Sequence, residues 1–217
     1  MKALAEHGYF VVAPDHKDAV RKGAGPLSGF SAGPEQGFRD AGAWSDNTYR
    51  DRASDIAGLL TALKKDTQWA GLIDWTRVGL AGHSLGGYTV LGLAGGWPNW
   101  RRPEVKAVLA LSPYTNPFLE RKTLGSLKVP VMYQSGSRDI GVGPFVKRTG
   151  GAYDQTPSPA YYIEFSKAGH LAWTDLRLDF QDDVVFYSLA FLDKYLKGDS
   201  KANPAKKLPD VSELRSK

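Results

Sequence analysis

Between Arg77 and Gly96 an apolar run, RVGLAG, passes through HSLGG into a string of small and apolar residues, YTVLGLAGG. The first run, bounded by glycine, reads as a strand buried on both faces. The second reads as a helix of small residues, so strand, sharp turn and helix succeed one another with no loop between. That succession fits an open parallel sheet whose strands return through helices.

The rest of the chain repeats the theme. YFVVA (9–13), VKAVLALS (105–112), VPVMYQSG (129–136) and AYYIEFS (160–166) are further strand candidates. A helix is expected over about 48–65, with Ile56, Leu59, Leu60 and Leu63 as its buried stripe and Asp46 or Asn47 as its cap. Another is expected over about 181–197, with acidic Asp182 and Asp183 first, Lys194 and Lys197 last, and Gly198 as the stop. The expected fold is α/β, a mostly parallel sheet of about five to six strands with helices on both faces. Residues 1–197 read as one catalytic domain and 198–217 as a loose polar tail. The stretch 14–47 is rich in Gly and Pro and lacks periodicity, the pattern of a long functional loop.

Composition excludes several classes. The 217 residues include no cysteine, so there is neither disulfide nor thiolate chemistry. The four histidines, His7, His16, His83 and His170, show no zinc-ligand spacing, and no metal is expected. The net charge of +5 is spread through the chain without an aromatic-basic stripe, which argues against nucleic acid. No apolar run approaches the ~18 residues of a membrane span, so no membrane partner is expected. MKALAEHGYFVV does not read as a secretion signal, and a cytoplasmic location is favoured.

G-x-S-x-G occurs twice, in GFSAG (29–33) and in GHSLG (82–86). The pattern carries chemistry where the serine sits on a sharp strand-to-helix turn that lifts its hydroxyl clear of the backbone. Ser84 has a strand before it and a helix after it, whereas Ser31 has neither. A serine hydroxyl needs a base, and the base needs an orienting acid. Asp139 follows the QSGSRD strand end and His170 follows the next, in SKAGHLAW. The loop SPYTNPF offers no rival carboxylate. Ser84 is thus expected as nucleophile, His170 as base and Asp139 as orienting acid. The N–H of Leu85 is expected to serve as an oxyanion donor. Trp173, Tyr114 and His83 are expected at the substrate pocket, with the His83 side chain turned away from the serine hydroxyl.

From YFVVAPDH through RDRASDIAGLL, GHSLGGYTV, VPVMYQSGSRD and AGHLAW, the chain resembles the α/β-hydrolases, most of all the dienelactone-hydrolase-like serine esterases. The resemblance implies hydrolysis of a small-molecule carboxylic ester, with small or aromatic groups, through an acyl-enzyme and without a cofactor. True dienelactone hydrolases usually carry a cysteine nucleophile, which this chain lacks. Measured against the family, the fold is a shortened one: the usual N-terminal strands and the oxyanion loop that follows the family's third strand are missing. Three explanations stand open: a late start or trimmed chain, a shift of YFVVA to pair with RVGLAG, or a homodimer that supplies the edge. The shift is favoured, and it would bring backbone N–H groups of Asp15 or His16 to the oxyanion. The alternative is a non-catalytic or weakly active binding module of the same fold.

Overall fold

The computed structural model describes residues 1–16, 18 and 35–217. They form two compact units, residues 1–74 and 75–217, where the sequence suggests a single domain to residue 197. Ser31 lies outside the described residues.

The first unit holds α1 (Lys2–Glu6) and α2 (Arg50–Lys65). Trp44 is fully buried and packs against the rings of Phe38 and Tyr49 at 5.5 and 5.3 Å. Tyr49, with φ 59°, opens α2, and its N–H donates to the Glu35 carboxylate at 2.7 Å. The expected Asp46 or Asn47 cap is therefore not what starts this helix. The Asn47 side chain instead accepts from the Arg50 guanidinium at 3.1 Å. The expected stripe Ile56, Leu59, Leu60 and Leu63 is only half-buried. The anchors of α2 are polar: Arg52 makes a two-pronged pair with Asp18, and Asp55 accepts from His16 at 2.8 Å. YFVVA forms no strand, and Phe10 and Val12 within it are exposed. An apolar run signals burial but not a partner, and a strand exists only where a neighbour completes its ladder.

The second unit is a five-stranded sheet in the order β1 (Val78–His83), β2 (Val105–Leu111), β3 (Val131–Gly136), β4 (Ala160–Phe165) and β5 (Val211–Ser216). The first four are parallel, and β5 runs antiparallel to β4. Among the described strands β1 pairs with β2 alone, so the expected shift of YFVVA onto β1 does not occur. Every residue of β3 and β4 is buried, the polar Gln134, Ser135 and Glu164 included, which is why both read as largely apolar runs. Successive strand side chains alternate between faces. On one face, Gly79, Gln134, Tyr161 and Phe165 meet α7 (Gln181–Leu192) and the turn after it through Leu196, Ser188, Phe191 and Tyr187. On the other, Tyr133, Tyr162 and Glu164 meet α5 (Gly143–Lys147) and the α6 segment (Ala152–Gln155, with Thr156). Helices α3 (Leu85–Leu91) and α4 (Asn116–Arg121) come after β1 and β2. No helix among the described residues is long and apolar enough to cross a membrane.

The polar stretch 198–217, expected as a loose tail, contains β5. This strand is an edge, half exposed, so its composition looks like solvent-facing chain. Val211 is buried, and the guanidinium of Arg215 lies over the Tyr162 ring at 5.2 Å. Ser212 donates to Glu164, a buried carboxylate that also accepts from Lys147 at 2.6 Å and Tyr162 at 2.9 Å. Burial raises the proton affinity of Glu164, but these three donors outweigh it and hold the carboxyl below its ordinary value. A depressed carboxyl stabilises the fold above its unfolded pKa, and that contribution disappears as pH falls through the folded value. Stability of the wild type, followed by urea unfolding, should therefore fall more steeply below about pH 4.5 than that of Glu164→Gln.

Candidate active site

The turn after β1 is strained. Ser84 sits at φ 55° and ψ −115°, a backbone region that non-glycine residues seldom occupy. Its N–H donates to the Leu111 carbonyl at 3.0 Å, and its carbonyl accepts from Tyr114 at 3.1 Å and Tyr88 at 3.2 Å. The end of β2 thereby grips the serine from both sides.

The glycines divide their labour unevenly. A Cβ on Gly82 would stand 2.2 Å from the Gly86 carbonyl oxygen, and one on Gly87 would stand 2.5 Å from Pro113 Cβ. A Cβ on Gly86 meets no described atom within 4 Å. The close approach that the motif needs falls on Gly82 and Gly87, while Gly86 supplies the backbone that Gly82 must clear.

Two further loops bring the partners. Asp139 lies three residues beyond β3, and His170 lies beyond β4. The loops are laced together: Ser137 N–H donates to Phe165 O at 3.0 Å, and Arg138 N–H to Ala168 O at 2.9 Å. Gly136 permits this, since a Cβ there would stand 2.2 Å from Ala168 O. His170 Nε2 is then 2.9 Å from Ser84 Oγ, and its Nδ1 is 2.9 Å from Asp139 Oδ2. The buried Asp139 carboxyl is pushed up by desolvation, yet hydrogen bonds from His170 and Ser112 outweigh this and hold it below its ordinary value. Asp139 is therefore ionised and accepts only, so Nδ1 carries the proton and Nε2 is free to accept the Ser84 O–H. The Ser84, His170 and Asp139 expected from sequence thus come together in one hydrogen-bonded chain.

The other expected residues sort differently. Leu85 begins α3, so its N–H is among the first-turn donors that a helix cannot satisfy internally. The His83 ring lies 4.8 Å from that of His170, and its Nε2–H donates to the His170 carbonyl at 2.7 Å. Burial lowers its proton affinity below the ordinary 6.5, which keeps the ring neutral. Trp173 stacks beside His83 at 6.1 Å and is fixed by Nε1–H donating to Gln134 Oε1 at 3.0 Å. Tyr114 is buried, and its backbone braces Ser84. Asp15 and His16 belong to the first unit, where His16 pairs with Asp55. Ser112, just past the end of β2, and Gln134, within β3, are both buried and are not singled out by the sequence motifs. Neither is a carboxylate or an imidazole, and the Ser-Pro pair closing β2 is the one local signal that could have pointed to Ser112.

No family model matches the chain. Among curated proteins it is similar to cutinase est1 and cutinase est2 of Thermobifida alba, each 24% identical across 98% of this chain. The chain spans 62% and 61% of those two proteins, about three fifths of their length. Cutinases are α/β-hydrolases, and the likeness supports placing the chain in that superfamily.

The glycine geometry can be tested directly. Gly82→Ala should lose at least ~3 kcal/mol of stability or fail to fold, because backbone blocks the new methyl. Gly86→Ala should stay within about 1 kcal/mol of wild type, since Ala favours the helix and meets open space. Urea midpoints of the two variants check both.

Proposed function

We propose that the protein is a serine hydrolase that cleaves carboxylic esters through an acyl-enzyme. The observation that carries this reading is the chain of hydrogen bonds from Ser84 through His170 to Asp139, set on a strained strand-to-helix turn. Ser84 Oγ attacks the ester carbonyl while His170 Nε2 takes its proton. Asp139 holds the Nδ1–H and favours the imidazolium that forms. The Leu85 N–H faces the developing oxyanion. His170 returns the proton to the departing alcohol, and water, activated by the same imidazole, releases the acid.

Both matched relatives are named cutinases, which agrees with ester chemistry; the finer likeness to dienelactone-hydrolase-like esterases rests on the motifs alone. The surroundings favour an apolar ester. Ile140 directly follows the acid and is 85% exposed, and Leu171 directly follows the base and is 47% exposed. Trp173 and His83 form a ring stack beside the imidazole. These surfaces suit a small or aromatic acyl group better than a charged one.

Two measurements test the reading. Purified protein should hydrolyse p-nitrophenyl acetate, butyrate and benzoate, and Ser84→Ala should lower kcat/KM by at least roughly 10⁴-fold. Equal, background rates in both proteins would instead indicate a binding module. Asp139→Asn should fold normally yet lose roughly 10⁴-fold in kcat, because the amide N–H favours the wrong imidazole tautomer.

A further inference from the structure

We propose that Ser112 is a positioning residue of this site: its buried hydroxyl, at the end of β2, pins the Asp139 carboxylate that orients His170. The inference deepens the ester-hydrolase reading and rests on it for the reaction served, while the geometry stands by itself.

Ser112 is 0% exposed. Its Oγ–H donates to Asp139 Oδ2, an ionised oxygen that can only accept. The same Oγ is 3.1 Å from His170 Nδ1. The Nδ1–H therefore faces two oxygens, Asp139 Oδ2 at 2.9 Å and Ser112 Oγ. The carboxylate is tied from a second direction and cannot swing away from the ring without breaking a buried hydrogen bond.

The backbone points the same way. Ser112 adopts φ 43°, left-handed and unfavourable for a residue with a Cβ. Its N–H is anchored on the Gln134 carbonyl at 2.7 Å. A residue that merely turned the chain before Pro113 would serve better as glycine. The hydroxyl is what a serine adds there, and its two neighbours are the acid and the base.

The effect runs through charge: by donating to Oδ2 the hydroxyl draws off part of the carboxylate's charge, and its oxygen also faces the Nδ1–H, so its removal alters both contacts of the imidazolium. Among the described residues, a second titratable group against His170 is His83, whose ring lies 4.8 Å from it and whose Nε2–H sits on the His170 carbonyl.

The experiment is an NMR titration of the His170 ring in wild type, Ser112→Ala and Ser112→Gly, repeated in a His83→Gln background to keep that ring's titration apart. With four histidines in the chain the signals are separable. The His170 midpoint should move away from its wild-type position in both variants. Their kcat/KM for p-nitrophenyl butyrate at neutral pH should fall roughly 10-fold. Ser112→Gly, freed of the backbone strain, should lose less stability than Ser112→Ala, so a fall in kcat/KM common to both is one of alignment. A midpoint that stays in place in both variants, with kcat/KM retained, overturns the role of Ser112. A midpoint that moves in a protein that hydrolyses no ester supports that role and sinks the ester reading.

Discussion

Everything in the site depends on how the end of β2 holds Ser84 in a conformation it would not adopt alone. Leu111 receives the serine's N–H, Tyr114 donates to its carbonyl, and Pro113 packs where Gly87 leaves room. A strained φ/ψ pair persists only when its surroundings over-determine it. Three contacts from one short segment do so here. The same segment carries Ser112, so one strand end both braces the serine backbone and touches the acid and base.

The charges are arranged with equal economy. Asp139 is buried, which by itself favours its neutral form, yet the donors around it keep it ionised. His83 is buried too, and there desolvation wins, leaving a neutral ring that donates to the loop backbone. Two titratable groups in one neighbourhood are driven to different states. One has donors matched to its charge, and for the other the nearby carboxylate is too weak an influence to offset burial. His170 is more open to solvent than the acid it contacts, its side chain 38% exposed against 2% for Asp139.

Much of this is legible in the chain. The parallel strands β2, β3 and β4 are readable because burial leaves largely apolar runs, while β1, mostly half-buried, is readable from its apolar run and the glycine turn that follows. Ser84, Asp139 and His170 are readable because each closes its own strand, in the order that an α/β sheet brings to one edge. The departures share a cause. YFVVA reads as a strand, but apolar character does not specify a partner. Val211–Ser216 reads as tail because an edge strand wears the composition of the surface. The start of α2 is hidden because a left-handed tyrosine, Tyr49, has no signature beyond its contacts. Ser112 and Gln134 act through distances across strands, which spacing along one strand does not encode.

The antiparallel pairing of β5 has a consequence for how the molecule is made. It adds its ladder to β4, the strand whose following loop carries His170, and the outermost backbone pair joins Ala160 to Lys217. During synthesis β4 emerges with one flank bare, and it stays bare until a segment some fifty residues later is made, roughly the distance from residue 160 to residue 211. A ribosome that stalls in that interval would hold a chain whose parallel strands are all present but whose outer hem is unstitched.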